Sequence, residues 1–295
     1  MFKLGVITDE ISQDLDHALD VICEFNMGYV ELRSIWGINI ADLKDDKISQ
    51  VKEAIEKRNL KVAAIAGPFL KSDLPGKPTR HSVGKDTFFA SGGDYERQLN
   101  ILRRCLDLAH YFDAPIVRTF AFWRQPAVTD ELLEEIASYF DEPLAMVKEA
   151  GVKLALENEH ECCVGNGDEV RRFLSIIMNK YPDRFASFGI IWDPGNAFFL
   201  NETPYPDGYE AVRKDKIIHV HLKDAKIDQE TGRRMWAAIG EGRIDLLGQM
   251  AALKRDGYDG VLSLETHFRA EGLTPEDATR RSFAGLKRIL DQVCS

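Results

Sequence analysis

The chain has 295 residues, 44% of them hydrophobic, and a formal charge of −10, a length that suits one large domain or two small ones. The negative balance argues against a nucleic-acid partner, which needs a cationic surface, and no apolar run is long enough to span a bilayer. Five cysteines of scattered spacing and no signal-peptide pattern at the start point to a reducing cytoplasm.

In chain order, residues 2–8 read as a strand and 17–25 as a helix. A second strand at 29–33 sets Val30 and Leu32 on one face, Glu31 and Arg33 on the other. A helix at 48–58 and a strand at 61–66 follow. The stretch 68–95, rich in glycine, proline and charge, reads as a lid or binding loop over the site, mobile from residue 70 onward. Beyond it come a helix at 95–111, a strand at 115–120 and one long helix at 130–150 opened by acidic residues. Strands are expected at 153–159, 188–193, 217–224 and 260–266. Helices are expected at 169–178, 208–214, 245–255 and 275–293. Eight strands alternating with helices, without a linker or a GxGxxG turn, predict a single-domain (β/α)8 TIM barrel over 1–295, with parallel strands.

The stretch Ile217-Ile218-His219-Val220-His221-Leu222-Lys223-Asp224 carries an unusual pattern. Ile218, Val220 and Leu222 form an aliphatic face, whereas His219, His221 and Lys223 form the inward one. In a barrel the active site lies at the C-terminal strand ends. The last four strands each offer one inward ligand there: Glu157, Asp193, His221 and Glu265. Three carboxylates and one imidazole suit one divalent ion. Mn²⁺ is favoured, with Mg²⁺, Co²⁺ and Zn²⁺ as alternatives. Without a cation, three converging carboxylates would repel one another.

Leu156-Glu157-Asn158, Trp192-Asp193-Pro194-Gly195-Asn196, His219-Val220-His221-Leu222-Lys223-Asp224, Gly240-Glu241-Gly242 and Ser263-Leu264-Glu265 resemble, in order along the chain, the xylose isomerase-like TIM barrel superfamily. The nearest group within it is the sugar phosphate isomerase/epimerase family, which includes ketose 3-epimerases and inosose dehydratases. The resemblance implies a metal held by Glu157, Asp193, His221 and Glu265, with Glu157 and Glu265 also serving as catalytic acid and base. Chelation of a ketose acidifies the C–H beside its carbonyl. One glutamate would take that proton, giving an enediolate, and the other would return it. The expected activity is thus a metal-dependent sugar or sugar-phosphate isomerase or epimerase; a keto-polyol dehydratase is the alternative. An apurinic-type endonuclease and a non-catalytic sugar-binding barrel rank below both.

The chain departs from the epimerase pattern at Asn196, where a substrate-contacting histidine is usual, and at Ile227, where an arginine is usual. Asn196, Lys223, His160, Trp36 and Trp123 are the candidate substrate-binding residues, with Phe69 and Phe122 as further aromatics that either wall the sugar or pack the core. Lys223 either holds an anionic group or pairs with Asp193 or Glu157. His219 is expected behind the ligands, orienting them. Glu31 and Arg33 are expected in an interior ion pair with Arg118. Asp224 is expected to cap the next loop, and Gly240-Glu241-Gly242 to serve loop geometry. The expected partner is a small carbohydrate, with no nucleic acid and no membrane; a homo-oligomer is left open.

Overall fold

Short runs rich in Val, Ile and Leu, each bounded by a turn, become the staves of a closed barrel in the computed structural model, which describes residues 2–79 and 92–294. The strands are β1 (Lys3–Ile7), β2 (Tyr29–Leu32), β3 (Lys61–Ile65), β4 (Ile116–Thr119), β5 (Lys153–Glu157), β6 (Phe188–Trp192), β7 (Ile217–Leu222) and β8 (Val261–Leu264). Every neighbouring pair is parallel, and β8 closes on β1 through Lys3 opposite Val261 and Val6 opposite Leu264.

The helices are α1 (Leu15–Glu24), α2 (Asp45–Glu56), α3 (Tyr95–Tyr111), α4 (Asp130–Ser138), α5 (Asp141–Ala150), α6 (Gly167–Lys180), α7 (Pro194–Phe199), α8 (Leu246–Arg255) and α9 (Pro275–Cys294). Side chains cap several N-termini, as Asp14 does by accepting from the His17 amide and Thr129 from the Leu132 amide. Apolar helix faces pack on the outward strand residues. Leu154, Leu156, Val220, Leu222, Leu262 and Leu264 are all buried in this outer layer.

The chain departs from the sequence expectation in several places, one being 208–214, where only Tyr209–Ala211 is α-helical. The single helix foreseen at 130–150 is two, broken at Tyr139 and Phe140, so that Pro143 falls in the first turn of α5, where its missing N–H costs little. Ile218 joins Ala64, Ile116, Ala155 and Ile191 in a small interior cluster instead of the aliphatic outer face. A register irregularity between β6 and β7 at Ile190 and Ile191 accounts for this. The described start of the loop after β3 is pinned: Phe69, Leu70 and Ser72 accept backbone bonds from Phe120, Phe122 and Trp123. Phe69, Leu70, Lys71, Ser72 and Leu74 are buried. The rest of the expected lid, residues 80–91, lies outside the described residues.

Two hairpins stand at the C-terminal rim. One pairs Ser34–Ile35 with Ile38–Asn39, and the other pairs Asp224–Ile227 with Arg234–Ala237. Asp224 caps the second as expected, its carboxylate accepting from the amides of Ala225, Gly240, Gly242 and Ile244. A Cβ on Gly242 would collide with that carboxylate, which is the local reason for glycine. Glu241 points elsewhere, to Arg281. At the opposite, N-terminal end, a cavity of about 570 Å³ opens among Tyr29, Lys61, Ile116 and Val261, away from the ligand residues. Among the described residues no helix is long and apolar enough to cross a membrane.

Candidate metal centre

Glu157 ends β5, Asp193 follows β6, His221 lies near the end of β7 and Glu265 follows β8. All four are at most 3% exposed, and one ligand atom from each falls within 4.8 Å of the others. Successive strands thus deliver the four side chains to one depth, as the two-residue alternation requires. His221 Nδ1 is 3.2 Å from Glu157 Oε1 and 2.9 Å from Glu265 Oε2.

The two oxygens of Asp193 are held differently: one takes a backbone hydrogen bond and the other only the charge of Lys223, 2.9 Å away. Asp193 Oδ1 accepts from the Asn196 amide and caps α7, with Pro194 in the first turn. Its backbone is locked to Asn158: the Asp193 amide donates to Asn158 Oδ1 at 2.7 Å, and Asn158 Nδ2 donates to the Asp193 carbonyl at 2.8 Å. Asp193 Oδ2 and Glu265 Oε2 are buried without an aligned hydrogen-bond donor. The Lys223 ammonium, 2.9 Å from each, balances their charge without an aligned bond, so their hydrogen-bonding capacity stays open to a bound cation. Together with Glu157 Oε1 and His221 Nδ1 they make an oxygen-rich donor set with one nitrogen, which fits a divalent ion.

The far side of His221 is also fixed. Its Nε2 lies 3.1 Å from Glu31 Oε2, and Glu31 Oε1 lies 2.5 Å from His219 Nε2. Glu31 therefore sits between two imidazoles, not in the expected ion pair with Arg33 and Arg118. The carboxylate–histidine contact leaves His221 Nδ1 as the ligand atom and sets the ring's orientation. Burial opposes the charge on Glu31, but the two histidines hold its carboxyl well below the usual range.

The two arginines turn instead to the glutamates of the cluster. Arg118 Nη1 donates to Glu157 Oε2 at 3.0 Å, and Arg33 Nη1 donates to Glu265 Oε1 at 2.8 Å. Arg33 also binds Asp9 and Glu10. Burial and Glu265 oppose ionisation of Glu157, but His221 and Arg118 bring it below the ordinary value. Burial likewise opposes ionisation of Glu265, and Lys223 and His221 drive it well below. Asp193 goes the other way: burial raises it despite Lys223. Lys223 Nζ is 2.9 Å from Asp193 Oδ2 and from Glu265 Oε2, and 3.8 Å from Glu157 Oε1.

Of the other expected contacts, Asn196 and His160 adjoin the cluster. Asn196 Nδ2 is 3.4 Å from Glu157 Oε1, and its Oδ1 is 2.9 Å from His160 Nδ1. His160 also meets Glu159, which binds the buried Lys71 at 2.7 Å. Trp123 packs with Phe120 and Cys162, and Lys71 lies over its ring. Phe69 and Phe122 are in the core. Trp36 occupies the first hairpin's turn, 39% exposed, with Lys47 over its ring. The aromatic pair beside the site is Phe199 stacked on Trp236 at 4.1 Å, with His160 and His267 against them. Sequence reasoning missed that pair because Trp236 comes from a hairpin with no strand-end position to mark it. Glu31 did carry a signal, since it shares the inward parity of the ligands.

The Xylose isomerase-like TIM barrel family model matches residues 19–289. The chain belongs to that family. A solved fusion of a xylose isomerase-like TIM barrel with a 4-hydroxyphenylpyruvate dioxygenase aligns at TM-score 0.72 and 18% identity, covering 99% of this chain. This chain spans only 43% of that fusion's length. The IOLI protein, solved with a zinc atom, aligns at TM-score 0.73 and 18% identity over 99% of both chains. An L-ribulose 3-epimerase aligns at TM-score 0.69 and 17% identity, covering 100% of this chain and 96% of its own. At these identities the likeness is one of fold.

Proposed function

We propose that this protein is a divalent-metal-dependent isomerase or epimerase of a sugar or sugar phosphate. The observation that carries the reading is the convergence of Glu157, Asp193, His221 and Glu265, with Asp193 Oδ2 and Glu265 Oε2 buried and lacking aligned donors. The solved relatives, one with zinc and one an epimerase, support it. A bound ion would polarise the substrate carbonyl and acidify the adjacent C–H. Mn²⁺ remains the favoured ion on the hardness of the donor set.

The protein's own groups would do the rest. Glu157 and Glu265 stand on strands separated by β6 and β7, so they flank whatever is seated between them. One removes the proton beside the carbonyl and the other delivers one to the opposite face. Asn196 and His160 present hydrogen-bonding atoms beside Glu157 to orient hydroxyl groups. Phe199 and Trp236 offer an apolar face to the sugar's C–H surface.

The test is solvent-deuterium incorporation across a panel of ketoses and keto-polyols with Mn²⁺. Exchange with isomer or epimer formation supports the proposal. Exchange with loss of water assigns a dehydratase instead, and no exchange on any member overturns the two-glutamate reading. Asp193→Ala should abolish a single metal site measured by elemental analysis; full retention would overturn the ligand set.

A further inference from the structure

Lys223 has an uncommon position for a lysine. It is 2% exposed, and its Nζ lies 2.9 Å from the same two carboxylate oxygens, Asp193 Oδ2 and Glu265 Oε2, that lack aligned donors. The ammonium also lacks an aligned acceptor. Charge, not directional bonding, therefore places it there. Building on the reading of the cluster as a metal centre, we propose that Lys223 and the divalent ion compete for these two oxygens, so that metal binding expels the ammonium toward the barrel mouth, where it binds a substrate oxygen.

An oxygen that bonds a divalent ion directly, at about 2.0–2.6 Å, gives up most of its hold on a second cation. Two positive charges among the same oxygens also repel each other, and the buried setting screens that repulsion poorly. The ion brings two charges and fixed bonds, whereas the ammonium brings one charge and no aligned bond, so the ammonium yields.

The root of the side chain is fixed: a Cβ on Gly195 would come within 2.8 Å of Lys223 Cβ, so the Asp193–Asn196 turn packs against the base of the stem. Beyond that base a lysine's four-carbon stem is intrinsically flexible. On the mouth side the ammonium already faces the ring of Trp236, 5.4 Å from its centroid. An aromatic face is a fit resting place for a displaced cation. The half-buried Trp236 ring lies beside His160 and Phe199, on the wall proposed for the sugar. An ammonium there can donate to a hydroxyl or carbonyl oxygen of the substrate. The same lysine thus neutralises the carboxylates before the metal arrives and recognises substrate afterwards.

Two measurements on the full-length chain test this. In the first, Mn²⁺ is titrated by calorimetry into metal-stripped wild type, Lys223→Met and Lys223→Gln. Both variants should bind one ion at least about tenfold more tightly than wild type, on the scale of groups that tune a metal site from outside its ligand shell. In the second, wild-type protein is reductively methylated with and without saturating Mn²⁺, and Lys223 is read by peptide mass spectrometry. Lys223 should be protected in stripped protein and modified in loaded protein, a change that simple charge repulsion would not produce. Unchanged or weaker affinity in the variants overturns the proposal while the metal reading stands. So does equal protection of Lys223 in both states, even with tighter variants, because the lysine then stays beside the ion. A wild type that binds no Mn²⁺ overturns the metal reading and this proposal with it. The methylation result needs no variant, so it holds if the substitutions fail to fold.

Discussion

Arg33 and Arg118 decide what kind of bases Glu157 and Glu265 can be. Each guanidinium takes the carboxylate oxygen that points away from the cluster, leaving Glu265 Oε2 and Glu157 Oε1 facing the centre. With Lys223 and His221 holding Glu265 ionised, and His221 and Arg118 holding Glu157, both carboxylates are ready at neutral pH and need no prior deprotonation. Removing the charge of either while keeping its shape should separate proton transfer from ligation. With metal kept saturating, Glu157→Gln and Glu265→Gln are each expected to lower turnover by about 10²-fold or more, the scale of a positioned acid or base. A metal-loaded variant turning over within a few-fold of wild type would make that glutamate a ligand only. Behind them, Glu31 accepts from both His219 and His221. Glu31→Gln keeps one acceptor and replaces the other with a donor, so one imidazole loses its partner. Mn²⁺ affinity should fall about 10- to 100-fold by calorimetry, the usual cost of losing a histidine's orienting group. Unaltered affinity would mean that His221 is oriented by packing alone.

Among the elements, period-two alternation made the site legible. The parity that put Glu157, His221 and Glu265 inward holds for each strand, and Asp193 falls in place because its Pro-Gly-Asn continuation turns the chain into α7. Parity failed at Ile218, where the irregular β6–β7 register adds a residue that no single-strand pattern contains. It also could not reveal Phe199 and Trp236, which meet through a helix and a hairpin distant in sequence. The loop after β3 shows the limit of composition. Its glycines and prolines suggested a cover, yet its described first part is bonded to the segment after β4. Amide exchange can decide how far that anchoring goes. The amides of Phe120, Phe122 and Trp123 should exchange slowly and equally with or without metal and substrate, because their acceptors Phe69, Leu70 and Ser72 are buried. Exchange that slows only on adding ligand would restore a moving cover from residue 70 onward.

At the scale of the molecule, the barrel interior has two unlike parts. One part is the small apolar cluster of Ala64, Ile116, Ala155 and Ile191. Toward the C-terminal ends the interior buries Glu31, Glu157, Asp193 and Glu265 with Lys223, Arg33 and Arg118. Stability must then come mainly from the apolar layer between strands and helices, since close-set buried charges contribute little net or cost stability. A site of that kind should respond strongly to its cation. An ion that binds the folded chain but not the unfolded one stabilises by about 2.7 kcal/mol at one hundred times its Kd. For a chain of this size that corresponds to a rise of about 5 °C in Tm. The measurement is a thermal melt across a Mn²⁺ series. Wild type should climb with the logarithm of free metal once its Kd is passed, and chelation should reverse the climb. Asp193→Ala should show a flat series, because a carboxylate of the ligand group and the α7 cap are both gone. A Tm independent of Mn²⁺ in wild type would mean that the arginines and Lys223 already satisfy the carboxylates and that the cluster is a structural ion network.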